Sequence, residues 1–179
     1  MRRLLMLLAP LLLSACGGET VKFYLTDAPL TDAAEVNVTL HGLTVFSSSL
    51  AEGNVPGSGG TIVFEEPMPF DLLEVKEVPA LLGEIAADGF IQMIELKVGS
   101  TATIVYQDGS SREAFIPSGI ETGVKIVGPF DLAGENEVVL DFDAELSFYE
   151  AEDGSLVMNP TIRVIIGGQV VGESEPLVP

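Results

Sequence analysis

The stretch EVVLDFDAELSFY, residues 137–149, decides the fold class. Val138, Leu140, Phe142, Ala144, Leu146 and Phe148 are apolar and share one parity. Glu137, Asp141, Asp143, Glu145 and Ser147 occupy the other. Only a β-strand places two such sets on opposite faces over a run of this length. The alternation predicts one strand across 137–149, with its acids on a solvated face.

Working outward, Asp153-Gly154 carries a two-residue hairpin signal. It predicts a return strand over 156–166, with Ile162, Val164 and Ile166 facing one way. Upstream, Val36, Val38 and Leu40 alternate with Asn37, Thr39 and His41, and the phase slips at Gly42, which predicts a bulge. Strands are expected at 61–65, 90–98, 101–107, 111–116 and 124–132. Asp108-Gly109 forms a second hairpin turn, and Pro129 marks an edge or bulge. One helical turn is expected within 69–76, with Asp71 near its start, and a further helical or turn segment near 79–86. SSSLAEGNVPGSGG (47–60) has loop composition, and GGQVVGESEPLVP (167–179) has that of a fraying tail. Many strands joined by Gly and Asp-Gly turns, with no long helix, predict an all-β antiparallel sandwich.

Composition removes several functions. Of 179 residues, 27 are acidic and eight are Lys or Arg, giving a formal charge of −19. Nucleic-acid binding is excluded as an expectation, because phosphates would be repelled. One Cys and one His leave no disulfide framework and no Cys or His metal cluster.

The N-terminus sets the compartment. Arg2 and Arg3 precede a ten-residue apolar run, Leu4–Leu13, too short for a spanning helix. It ends in Leu13-Ser14-Ala15-Cys16, which resembles the lipobox of bacterial lipoproteins. That resemblance implies a signal peptide over 1–15, a diacylglycerol thioether and N-acylation at Cys16, and a short tether over 16–20. The sandwich would occupy 21–166. Gly17 follows the cysteine where an Asp would signal inner-membrane retention, so the outer membrane is the expected address. Cleavage removes two arginines and no acid, leaving six bases against 27 acids, a charge of −21.

Several stretches, taken in order, resemble a bacterial and archaeal lipoprotein family, domain of unknown function 4382. They are YLTDAP (24–29), EVNVTLHGLTVF (35–46), FDLL (70–73), ADGFIQMIELKVG (87–99), IPSGIETGVKI (116–126), VVLDFDAELSF (138–148) and NPTIRV (159–164). The resemblance covers about residues 21–166. It implies an envelope-anchored sandwich of transthyretin-like or immunoglobulin-like type, without an established activity. Many members carry further modules behind this domain; with thirteen residues after Ile166, none is expected here. Members often have a basic residue where this chain has Glu95.

Candidate chemistry follows from the acids. Asp141 and Asp143, two apart on a strand, point to one side, and Asp27 and Asp32 flank a proline turn. Hard oxygens of this kind suit Ca²⁺, so Asp27, Asp141 and Asp143 are the candidate metal ligands, although the spacing is not that of an EF-hand. The competing reading is a solvated strand face and an Asx-turn at Asp27. Paired carboxylates also suit glycoside hydrolysis, but no Trp and three Tyr offer few platforms for a sugar. His41 lies on the polar parity of its strand without a nucleophile motif, and is expected to be structural. Gly57-Ser58-Gly59-Gly60 lacks the Lys-Ser/Thr of a phosphate loop and is expected to be a contact loop. The leading expectation is a non-catalytic binding, adhesion or scaffolding module with an envelope protein or glycan as ligand. A calcium-dependent module is the alternative, and an envelope hydrolase ranks last.

Overall fold

The computed structural model describes residues 19–174 apart from Pro29, 49–59, Glu77, Asp88 and Ser118. Residues 13–16, which resemble a lipobox, and the Ser/Gly loop other than Ser47, Ser48 and Gly60 lie outside the described residues.

The chain is an all-β sandwich. Its strands are β1 (Glu19–Ala28), β2 (Ala33–Ser48), β3 (Thr61–Phe64), β4 (Met68–Asp71), β5 (Ala80–Ala87), β6 (Phe90–Val98), β7 (Thr101–Tyr106), β8 (Ser111–Phe115), β9 (Val124–Asp131), β10 (Glu137–Asp143), β11 (Phe148–Glu150), β12 (Leu156–Met158), β13 (Ile162–Ile166) and β14 (Gln169–Glu173). Two four-residue helical turns interrupt them, α1 (Leu72–Val75) and α2 (Ala144–Ser147). Among the described residues, one sheet runs β14-β13-β10-β1-β5 and the other β11-β12-β8-β7-β2-β6-β9, with β3 and β4 also on β2. Between them lies a core that includes Phe23, Leu25, Leu40, Leu43, Ile94, Leu96, Leu140 and Phe142, all fully buried.

The sheets are mixed, not purely antiparallel: β1 runs parallel to β10, and β12 parallel to β8. A parallel pair needs a long crossover, and here most of the chain separates β1 from β10. Local alternation carries no trace of that pairing. The two Asp-Gly turns, the bulge at Gly42, the edge position of β9 and the Asp71-capped turn are as the sequence predicts.

Four further expectations are corrected. The return strand expected over 156–166 divides into β12 and β13, which belong to different sheets. Residues 79–86 form most of β5, because pairing with β1 outweighs the helix propensity of Ala, Leu and Glu. The tail is ordered through Ser174: Gly167 and Gly168, both at positive φ, turn the chain so that β14 pairs with β13. The strand expected over 137–149 stops at Asp143, where α2 begins. Leu146, on the apolar parity, is 68% exposed, while Ser147 on the polar parity is fully buried.

Two glycines let the sheet margins meet. A Cβ at Gly172 in β14 would stand 2.4 Å from the Phe130 ring of β9. One at Gly83 in β5 would stand 2.7 Å from Val63 Cγ1 of β3. Each closes one side of the sandwich. We expect Gly83→Val and Gly172→Val each to destabilise the domain by roughly 1–3 kcal/mol through overpacking, read as a lower midpoint in urea unfolding.

Candidate functional site

The candidate ligands lie where β1 and β10 end. Parallel register sets Thr26 beside Asp141, Asp27 beside Phe142 and Ala28 beside Asp143. Asp27 therefore follows the core-facing parity of Phe23 and Leu25, whereas Asp141 and Asp143 lie on the other face of β10.

On that other face β13 supplies Arg163, in register with Asp141. Its Nη2 is 2.7 Å from Asp141 Oδ2 and 3.4 Å from Asp143 Oδ2. One guanidinium thus holds both carboxylates. The expected solvated acidic face is corrected here: Asp141 and Asp143 are buried, and only Glu137 and Glu145 of that parity are exposed. The sequence carried the missing partner in Arg163, the polar residue between Ile162 and Val164.

Asp143 also ends the strand. As the N-cap of α2 its Oδ1 accepts from Leu146 N–H at 3.0 Å. Asp27 Oδ1 accepts from Ala144 N–H at 3.1 Å, so two carboxylates cap one helical turn. This contact spans 117 positions and corrects the expected local Asx-turn. Asp27 Oδ2 is buried without a partner among the described residues, as is Arg163 Nε. Burial pushes the Asp27 carboxyl up to about 7; the Ala144 N–H opposes this, while the charges of Asp141, Asp143 and Asp71 reinforce it.

The crossing from β12 to β13 is satisfied group by group. Ser147 Oγ donates to Asp143 C=O and accepts from Thr161 N–H. Asp143 N–H donates to Thr161 C=O, and Asn159 N–H to Ser147 C=O. Ser174 Oγ accepts from Ile162 N–H and donates to Pro160 C=O. A chain leaving one sheet for another must pair its buried backbone in this way.

A three-carboxylate calcium site would need Asp27, Asp141 and Asp143 to converge. Instead they lie on two faces, and Arg163 already supplies a cation to two of them. Among the described residues no group of three or more His, Cys, Asp or Glu is arranged to hold a metal ion. Asp32 is exposed and His41 is half-buried on β2. Glu95 lies opposite Lys125 in the β6–β9 register, with an Nζ–Oε2 distance of 3.9 Å.

Residues 19–160 match the family described as "Domain of unknown function (DUF4382)". The chain belongs to this family. No curated protein and no solved structure matches it. In this DUF4382 domain, three of the stretches quoted above meet at one junction: YLTDAP brings Asp27, VVLDFDAELSF brings Asp141, Asp143 and α2, and NPTIRV brings the crossing and Arg163. FDLL stands beside them, since Asp71 caps α1 and Thr26 Oγ1 donates to Val75 C=O. Sequence reading missed the junction because its members are far apart in the chain.

Two outcomes test this geometry. The folded Asp27 pKa lies above its unfolded value of 3.8, so the protonated form is favoured by folding. The associated stability is complete below pH 3.8 and lost as pH rises through about 7. Asp27→Asn should therefore flatten the fall in stability between about pH 4 and pH 7, and exceed the parent at pH 8, in urea melts at each pH. Arg163→Met should cost about 2–4 kcal/mol, because it strands two buried carboxylates. The double variant Asp141→Asn/Arg163→Met should lose less than the two single costs added together, measured as a double-mutant cycle.

Proposed function

We propose that the chain is a lipid-anchored cell-envelope domain that binds, adheres or scaffolds without catalysis, facing the outer membrane where the host has one. The observation that carries this reading is Cys16, closing an LSAC motif behind a basic and apolar leader. The first strand begins at Glu19, so the folded domain starts almost at the anchor. Stable attachment needs more than one acyl chain, which lipobox processing supplies at this cysteine.

The binding reading draws on the buried acids and on the surface. Asp27, Asp141 and Asp143 are spent on capping and ion pairing, which leaves the fold's interior chemistry structural. On the larger sheet, Phe115, Val157 and Tyr149 fall in one register row across β8, β12 and β11. Phe115 is 55% and Tyr149 47% exposed. Aromatic side chains with an apolar body and, in tyrosine, a polar tip suit a protein or glycan contact. The calcium alternative draws no support from the geometry, because Arg163 stands between the acids it would use.

Replacing Cys16 by Ser should leave the protein unacylated and move it from the membrane pellet to the soluble fraction. Retention of the Cys16→Ser protein in a carbonate-washed membrane pellet would overturn the lipid anchor.

A further inference from the structure

We infer that one end of the sandwich faces the bilayer: the end formed by Glu19, the 131–137 turn and the Gly167-Gly168 turn, with the 107–110 and 151–155 hairpin turns pointing away from the membrane. The inference rests on the lipid anchor proposed above and adds an orientation to it.

Covalent reach sets the constraint. Three peptide steps separate Cys16 from Glu19, which span at most about 11 Å. The start of β1 is therefore held within that distance of the acylated residue. β1 is a ten-residue interior strand of its sheet, roughly 30 Å long. Its start and its end at Ala28 cannot both be close to the bilayer unless the domain lies on its side.

Register identifies what shares the anchored end. Glu19 pairs with Ala87, where β5 finishes. Lys22 N–H donates to Asn136 C=O, and Leu132 N–H to Gly89 C=O, so the 131–137 turn closes over the start of β1. A Cβ at Gly167 would stand 3.4 Å from Glu135 Oε1, which puts the β13–β14 turn beside it. At the far end, Ala28 leads through residues 30–32 to Ala33, and Ala33 pairs with Tyr106 at the head of the β7–β8 hairpin. Arg112 Nη2 donates to Gly154 C=O and joins the β11–β12 turn to that hairpin.

Charge argues against a broadside pose. At the anchored end Glu19, Asp131, Glu135 and Glu137 are exposed, against one base, Lys22, in register with Glu137. Of the six bases in the mature chain, Arg112, Lys125 and Arg163 are engaged with carboxylates. With six bases against 27 acids the mature chain carries a net charge that anionic head groups repel. The tether holds the domain down while its charge keeps its flanks off the surface. The row of Phe115, Val157 and Tyr149 is then left clear of the lipid.

The test uses the intact lipoprotein in phosphatidylethanolamine/phosphatidylglycerol vesicles carrying a head-group energy acceptor. Cys16 is acylated, so an added cysteine is the free thiol for a donor dye: Gln169→Cys at the anchored end, or Glu152→Cys at the far end. Donor quenching several-fold stronger at 169 than at 152 is the expected result. Equal quenching would mean a broadside domain, and stronger quenching at 152 an inverted one; either overturns the orientation while leaving the anchor intact. Failure of the labelled proteins to float with the vesicles would instead remove the anchor, and the orientation with it.

Discussion

The structure depends on a single cation placed between two strands. Arg163 on β13 neutralises Asp141 and Asp143 on β10, and both carboxylates are too buried for water to do the same work. Removing a carboxylate from water is expensive, and the cost is recovered only where the counter-charge and the remaining hydrogen bonds are well placed. Asp143 meets this condition twice: its Oδ2 faces the guanidinium while its Oδ1 caps α2. The ion pair therefore fixes more than charge. It fixes where β10 stops, and so where the chain leaves one sheet for the other.

That change of sheet is the topological event of the domain. β10 belongs to the smaller sheet, β11 and β12 extend the larger one, and β13 returns beside β10. Two crossings within about twenty residues bury backbone that no ladder can pair. Ser147 and Ser174 carry out the pairing, one hydroxyl at each side of the Asn159–Ile162 segment. A serine in the position of an apolar strand residue would leave those groups orphaned elsewhere; here it is the residue the position requires.

How much of this was legible differs residue by residue. The turns were, because Asp108 and Asp153 each fold back on a serine two positions later, a local interaction written in three residues. The Asp71 cap was legible for the same reason. α2 was not: Ala144, Leu146 and Phe148 satisfy strand parity as well as Asp143 satisfies an N-cap, and the decision rests on Asp27 and Thr161, both distant in sequence. β5 was missed because its residues favour helix and only its neighbour β1 makes it a strand. Asp141 and Asp143 were correctly set on one face, but whether that face met water or a guanidinium depended on the register of β13.

The same logic bears on Asp27, the least comfortable group in the domain. It sits at the end of an apolar parity, accepts one backbone hydrogen bond and leaves its other oxygen unpaired among the described residues. Near neutral pH it stands between a neutral acid and a fourth charge among Asp71, Asp141 and Asp143, with one guanidinium among them. A valine or leucine there would lose the Ala144 contact and uncap α2 from its β1 side. A carboxyl that is neutral when protonated and still offers one acceptor oxygen suits both demands, at the cost of a stability that falls as the pH rises.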